Sequence, residues 1–153
     1  MSGIAVFPGS FDPVTKGHES IVIRALPLFD SIIVAIGSNS AKNSMFPLEK
    51  RKLWLEQTFS GYSKIKIVDY STLTIELCRK YKANYILRGL RSVTDFEYES
   101  SIAGMNRLME PGIETLFMIA LPEFAAIQST IIREIVKNRG DISQFIPEGV
   151  KSL

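Results

Sequence analysis

The sequence predicts a single-domain, doubly wound α/β fold, in which a parallel five-stranded sheet carries helices on both faces. Short apolar, β-rich runs alternate along the chain with helix-like segments. Several of these runs are apolar almost throughout, as expected where helices cover both faces of a parallel sheet. No repeat, low-complexity stretch or linker divides the 153 residues, so we expect one domain over residues 1–153.

The strands are predicted from these apolar runs. In chain order they are Gly3–Phe7, Ser31–Gly37, Ile65–Val68, Tyr85–Arg88 and Thr115–Ile119. The strand–helix alternation implies right-handed crossovers and hence a Rossmann-like sheet, whose ligands lie beyond the carboxyl ends of the strands.

The helices are predicted from the segments that follow each strand, at His18–Leu26, Leu48–Phe59, Ser71–Lys82, Asp95–Leu108 and Ser129–Asn138. Pro27 has no N–H to donate, so the first helix should kink or end near it. Pro47 suits the first turn of the second helix. In the third helix Cys78 falls on the apolar face, which predicts a buried thiol. Gly140 is the expected C-cap of the last helix.

Composition excludes several classes of protein. The only cysteine is Cys78, which rules out an internal disulfide and a metal site built on several thiolates. Eighteen basic and 16 acidic side chains leave a net charge of +2, too balanced for a general nucleic-acid binder. The apolar runs are too short for a membrane span and the N-terminus does not resemble a signal peptide, so we expect a cytoplasmic protein.

The densest functional signal follows the first strand, in the loop from Phe7 to His18. Gly9, Pro13 and Gly17 shape a turn from the strand into a helix, and His18 lies where that helix begins. Helix N-termini bind phosphate through unpaired N–H groups, and a histidine there can add its ring N–H. The alternative is that His18 is an ordinary first-turn residue and that the glycines only form the turn.

Three further segments carry candidate phosphate contacts. Arg88 and Arg91 flank Gly89 at the end of the fourth strand, where they either grip phosphates or pair with Asp95, Glu97 or Glu99. Lys42 is a surface lysine, or a charge for a developing phosphoryl group. Ser129 or Thr130 should cap the last helix, whose N–H groups could hold more phosphates. The run from Glu49 to Lys52 is interpreted as the solvated face of a helix.

Together these motifs resemble a known family. Thr15-Lys16-Gly17-His18 is similar to the T/H-x-G-H signature of the nucleotidyltransferase superfamily, and Ser129–Arg133 resembles its second signature, S-S/T-x-x-R. Across nearly the whole chain the sequence is similar to the bacterial phosphopantetheine adenylyltransferases. The stretches that carry this likeness are Pro8–Pro13, Gly17-His18, Met45-Phe46, Arg88–Arg91, Asp95–Glu99 and Met105–Arg107.

The resemblance implies an enzyme of coenzyme A biosynthesis, which transfers the adenylyl group of ATP to 4′-phosphopantetheine and releases dephospho-coenzyme A and pyrophosphate. It implies magnesium carried with ATP, a homohexamer, and coenzyme A as an inhibitor. The implied ATP contacts are Ser10, Phe11, His18, Gly89, Leu90, Arg91, Glu99, Phe124, Ala125, Ala126, Ile127, Gln128, Ser129 and Thr130, with Gln128 standing where many relatives carry serine. The implied phosphopantetheine contacts are Ser10, Lys42, Thr74 and Arg88.

These residues suggest direct in-line attack without a covalent enzyme intermediate, with His18, Lys42 and Arg91 as catalytic groups. Three alternatives remain open at this stage. The acceptor could be another compound, such as nicotinamide mononucleotide or glycerol 3-phosphate. The site could bind nucleotide without turnover, or the basic clusters could bind nucleic acid.

Overall fold

The computed structural model describes residues 3–38 and 43–150, and it confirms the predicted fold class. One five-stranded parallel sheet has the order β3-β2-β1-β4-β5. The strands are β1 Ile4–Gly9, β2 Ser31–Gly37, β3 Ile65–Tyr70, β4 Tyr85–Leu90 and β5 Glu114–Ile119. The chain builds outward from β1 in both directions, so the strand order reverses between β1 and β4. That reversal is where doubly wound sheets open a ligand crevice.

The five predicted helices are present, with shifted ends. They are α1 Lys16–Ala25, α2 Leu48–Thr58, α3 Thr74–Tyr81, α4 Val93–Met109 and α5 Ser129–Lys137. Helix α1 ends at Ala25, and Pro27 lies in a 3₁₀ turn over Leu26–Leu28, as its missing N–H predicts. Over the described residues no helix is both long and apolar enough to cross a bilayer.

Two apolar clusters pack on opposite faces of the sheet. Ala5 and Phe7 of β1 point to the face that holds the larger cluster, whereas Val6 between them points to the other. The smaller cluster contains Cys78, which is fully buried as predicted. Burial raises the pKa of its thiol to about 11, so this cysteine is a packing residue.

Helix α4 is the exception to this packing. None of its 17 residues is buried, although the helix is long and carries many apolar side chains. Its large exposed side chains are Val93, Phe96, Tyr98, Ile102, Met105, Leu108 and Met109. The neighbouring edge strand β5 is also only partly covered.

Both ends of α5 differ from the prediction. Gln128 is the N-cap residue, so capping by Ser129 or Thr130 is wrong. The Ser129 hydroxyl instead donates to the Pro13 carbonyl (3.0 Å), which ties α5 to the loop after β1. At the other end Arg139, not Gly140, takes the left-handed conformation, with φ of +59°. Gly140 follows it and lies against Ile135, where a Cβ would come within 2.5 Å of Cγ2.

Candidate active site

The crevice opens because β1 and β4 separate. Strand β1 pairs with β2 along its whole length, but with β4 only at Ala5 and Val6. Arg88 of β4 spans the gap beyond this point. Its Nη1 donates to the Pro8 carbonyl (2.5 Å), and its Nε and Nη2 donate to the two carboxylate oxygens of Glu99. A guanidinium thus lies between the two strand ends at the switch point of the sheet.

Two cavities meet at this arginine. One has a volume of about 340 Å³ and extends toward α3 and α4, and the other has about 230 Å³ and extends toward the N-terminus of α1. They share a wall made of Pro8, Gly9, Ser10, Arg88 and Glu99. Two reactants placed in these cavities would therefore face each other across this wall.

His18 has its ring fixed by the helix cap. Thr15 is the N-cap of α1, and the hydroxyl of its side chain accepts from the backbone N–H of His18 (3.3 Å). The backbone N–H of Thr15 donates to Nδ1 of His18 (3.0 Å). Since Nδ1 accepts a hydrogen bond, the neutral ring carries its proton on Nε2. His18 lines the smaller cavity, so Nε2–H is the donor it can offer there.

The ring of His18 stays neutral over the physiological range. It packs edge-on against Phe11, with ring centroids 5.0 Å apart. Burial, followed by the positive charges of Arg91 and Arg88, lowers the pKa of His18 from 6.5 to about 4. His18 is therefore suited to donate a hydrogen bond to an anion at neutral pH, and not to add a full charge.

Arg88 and Arg91 form ion pairs with α4, which was one of the two alternatives that the sequence left open; a phosphate contact stays a prediction. Arg88 pairs with Glu99, and Arg91 pairs with Asp95 through Nε (3.1 Å). Both arginines nevertheless line the smaller cavity, and Arg88 lines the larger one too. The carboxylates thus orient guanidinium groups that still face the cavities.

Comparison with known proteins agrees with this geometry. Residues 6–135 match the family model described as cytidylyltransferase-like. Phosphopantetheine adenylyltransferase from Flavobacterium psychrophilum is 47% identical over 96% of this chain and 97% of its own. The enzyme of that name from Bacteroides thetaiotaomicron is also 47% identical, over the same shares of the two chains. The chain belongs to the phosphopantetheine adenylyltransferase family.

A solved structure supports the fold of this adenylyltransferase. The bifunctional NMN adenylyltransferase/ADP ribose pyrophosphatase from Francisella tularensis superposes with a TM-score of 0.74 over 95% of this chain and 45% of that chain. Its sequence identity is 22%, so this likeness concerns the fold alone.

Most of the residues predicted to bind ligand surround the two cavities of the adenylyltransferase. Ser10, Arg88 and Glu99 lie on the shared wall, and Thr74 lines the larger cavity. His18, Gly89, Arg91, Phe124 and Ile127 line the smaller one. Phe11 lies behind His18 and is almost fully buried.

The other predicted ATP contacts lie beyond the described lining of either cavity. They are Leu90, Ala125, Ala126, Gln128, Ser129 and Thr130. Their contacts with ATP stay predictions, as do those of Lys42, which falls outside the described residues.

Sequence reasoning missed several residues of the site. Tyr70, Thr72, Asn106 and Thr115 line the larger cavity, and the Tyr70 hydroxyl lies 3.1 Å from Oγ1 of Thr74. Tyr70 and Thr72 follow the apolar part of β3 in the sequence. Their position at the carboxyl edge of the sheet, where ligands bind, could have indicated them as residues of the site.

Arg51 was placed on a solvated face, and this is wrong because it is fully buried beneath the loop after β1. Its spacing with Trp54, Leu55 and Thr58, at i, i+3, i+4 and i+7, puts it on the buried face of α2. That spacing could have revealed it.

Proposed function

We propose that this adenylyltransferase transfers the adenylyl group of ATP to 4′-phosphopantetheine, yielding dephospho-coenzyme A and pyrophosphate. The observation that carries the proposal is the pair of cavities meeting at the wall of Ser10, Arg88 and Glu99, at the switch point of the sheet. The names of the full-length relatives identify the two reactants such a pair would hold.

ATP occupies the smaller cavity in this proposal. The N-terminus of α1 and the Nε2–H of His18 face the α-phosphate, and Arg91 holds the β- and γ-phosphates. Phe124 and Ile127 offer an apolar surface for the nucleoside. The arginines and N–H donors in the lining of this cavity support the placement of the triphosphate.

4′-Phosphopantetheine occupies the larger cavity. Arg88 holds its phosphate at the shared wall, with Lys42 as a second cation, and its arm extends toward α4. Thr72, Thr74 and Asn106 supply groups that can hydrogen-bond to the amides of that arm, while Ile102 and Ala103 cover its methylenes. This mixture of polar and apolar lining supports an elongated, amide-containing acceptor.

The chemistry is a direct displacement. An oxygen of the acceptor phosphate attacks the α-phosphorus of ATP. The bond from that phosphorus to the oxygen that bridges the α- and β-phosphates breaks, and pyrophosphate leaves with the electron pair. The chain supplies orientation, which lowers the barrier by about 7–11 kcal/mol in such reactions. His18 and Lys42 stabilise the charge that develops on the α-phosphate.

Magnesium enters with the nucleotide. Among residues 3–38 and 43–150 no three His, Cys, Asp or Glu side chains cluster as a metal cage. In this proposal the ion keeps most of its waters and is held chiefly by substrate phosphates. The groups of the lining that could face it, through its waters, are the carboxylates of Asp95 and Glu99.

The exposed apolar surface of α4 supports a homo-oligomer, a hexamer in our proposal, in which a second copy of the chain covers this helix. Coenzyme A carries both the pantetheine arm and an adenosine, so it could span both cavities and act as an inhibitor. Since ATP is a cytosolic substrate, we place the reaction in the cytoplasm.

The test is pyrophosphate release from magnesium–ATP with and without 4′-phosphopantetheine, with nicotinamide mononucleotide as a control acceptor. We expect release only with phosphopantetheine, together with dephospho-coenzyme A detected by mass spectrometry. Release only with the control acceptor would overturn the substrate and retain the reaction. Folded protein that binds ATP and releases nothing would indicate a nucleotide sensor.

A further inference from the structure

Arg51 is a buried charge that lies close to the active site without lining it. The side chain, in α2, is 0% exposed. Its Nε donates to the Phe46 carbonyl (3.0 Å) and its Nη1 to the Ser10 carbonyl (2.6 Å). Among the described residues its Nη2 has no hydrogen-bond partner. Burial of a guanidinium lowers the stability of the fold unless its hydrogen bonds compensate for the lost hydration.

Asp12 completes a reciprocal clamp with Arg51. The Asp12 carboxylate is almost fully buried and accepts the backbone N–H groups of Met45 (2.8 Å) and Phe46 (2.9 Å). Arg51 binds the carbonyls of Phe46 and Ser10, which belong to the same two segments. Burial lowers the pKa of Arg51, and the negative charge of Asp12 opposes this change. The loop after β1 is thus fastened to the entry of α2 through donors and acceptors on both sides.

The clamp acts on the residue at the junction of the two cavities. Ser10 is exposed and lines both of them. The next residue, Phe11, has a φ of +46°, a left-handed conformation that residues with side chains keep only where their surroundings hold it. Arg51 binds the carbonyl of the peptide that connects these two residues.

We propose that Arg51 is a positioning residue for adenylyl transfer: it holds the Ser10 carbonyl and so sets where the Ser10 hydroxyl and amide lie between the two reactants. Arg51 is not part of the lining of either cavity. The inference rests on the proposed function, because Ser10 matters only if chemistry takes place across the shared wall.

The test compares Arg51→Met and Arg51→Lys with Leu55→Ala. Leu55 is fully buried on the same helix, and its truncation lowers stability through packing alone. We expect kcat of Arg51→Met to fall about 10- to 100-fold, because small misplacements of reacting groups cost this much. Its dissociation constant for ATP should stay within about threefold, since His18 and Arg91 are untouched. Lysine, which can bind one of the two carbonyls, should give an intermediate kcat.

Kinetics measured well below each melting temperature separate positioning from folding. Leu55→Ala should lower the melting temperature and keep its kcat. If both Arg51 variants keep the kcat of the unmodified protein and lose only melting temperature, the positioning role is refuted. If Arg51→Met does not fold, the comparison of Arg51→Lys with Leu55→Ala decides in the same way.

Backbone hydrogen exchange tests the same inference without turnover. Amides of residues 9–12 should exchange faster in the Arg51 variants and at the normal rate in Leu55→Ala. Unchanged exchange in residues 9–12 would contradict the inference. If the unmodified protein adenylylates no phosphopantetheine, the proposed function fails, and the exchange rates still decide whether Arg51 holds the loop.

Discussion

His18 offers the smaller cavity a single hydrogen-bond donor, and its removal should affect the rate more than binding. We expect His18→Ala to lower kcat about 10²- to 10³-fold with little change in the ATP dissociation constant, because a donor to developing charge acts mainly in the transition state. Steady-state kinetics and calorimetric ATP titration measure the two quantities. His18→Gln is the matched control, since its amide nitrogen can replace Nε2–H and should restore part of the rate. A normal kcat in His18→Ala would remove His18 from the mechanism.

The lowered pKa of His18 predicts a specific acid response of the protein without ligands. The unfolded ring takes up a proton below its ordinary pKa of 6.5, whereas the folded ring stays neutral down to about 4. The contribution of His18 to stability is therefore complete above pH 6.5 and is lost as the pH falls toward 4. His18 is the only histidine, so NMR titration of its ring reports this pKa without assignment. A titration midpoint near 6.5 would contradict the buried, cation-flanked ring.

The positions of individual residues were predictable where they follow from the alternation of strands and helices. His18, Arg88 and Arg91 lie at the carboxyl edge of the sheet as expected, because His18 and Arg91 follow strands and Arg88 lies near the end of β4. Their contacts with ligands stay predictions. The ion pairs of the two arginines could not be assigned, since partner choice depends on how α4 packs. Arg51 was misplaced because a run of four charged residues is typical of a solvated face, whereas its spacing with Trp54 and Leu55 puts it on the buried face of α2.

At the scale of elements, the end of α5 carries a correctable strain. Arg139→Gly should stabilise the protein by about 1 kcal/mol, because glycine adopts the left-handed conformation without the Cβ clash that arginine carries. Urea unfolding at fixed protein concentration should show a higher midpoint with an unchanged slope. Gly140→Ala is the neighbouring control and should lower the midpoint, since its Cβ would meet Ile135. A lower midpoint for Arg139→Gly would show that the arginine makes a compensating contact.

Strands and helices were predictable to within a few residues, and the differences have local causes. Strand β2 matches the prediction because its apolar run ends abruptly at both sides, at Ser31 and Gly37. Helix α1 begins at Lys16 and not at His18, because Thr15 is its N-cap. The cap of α5 was missed because Ser129 bonds to a loop more than 100 residues away in the chain, a contact no local pattern contains.

At the scale of the whole molecule, α4 connects the active site to the proposed assembly. The helix supplies Glu99, which orients Arg88, and Asn106, which lines the larger cavity. Yet within the described chain it buries no residue, so its own packing constrains it weakly. A second copy pressed against this helix, as proposed, would hold both groups in place, and the acceptor side of the site would then depend on assembly.

This dependence predicts linked effects on assembly and activity. Met105 and Leu108 are both exposed on α4, and a charge there cannot be buried against a partner without a large cost. We expect Met105→Glu and Leu108→Glu to dissociate the oligomer in light scattering coupled to size exclusion. KM for phosphopantetheine should rise more than KM for ATP, because α4 lines the acceptor cavity. Leu53→Glu adds the same charge at an exposed apolar position on α2 and should leave both assembly and kinetics unchanged. If the α4 variants keep the oligomer mass of the unmodified protein, α4 is not the interface. If they dissociate and their kinetics are unchanged, the site is complete within one chain.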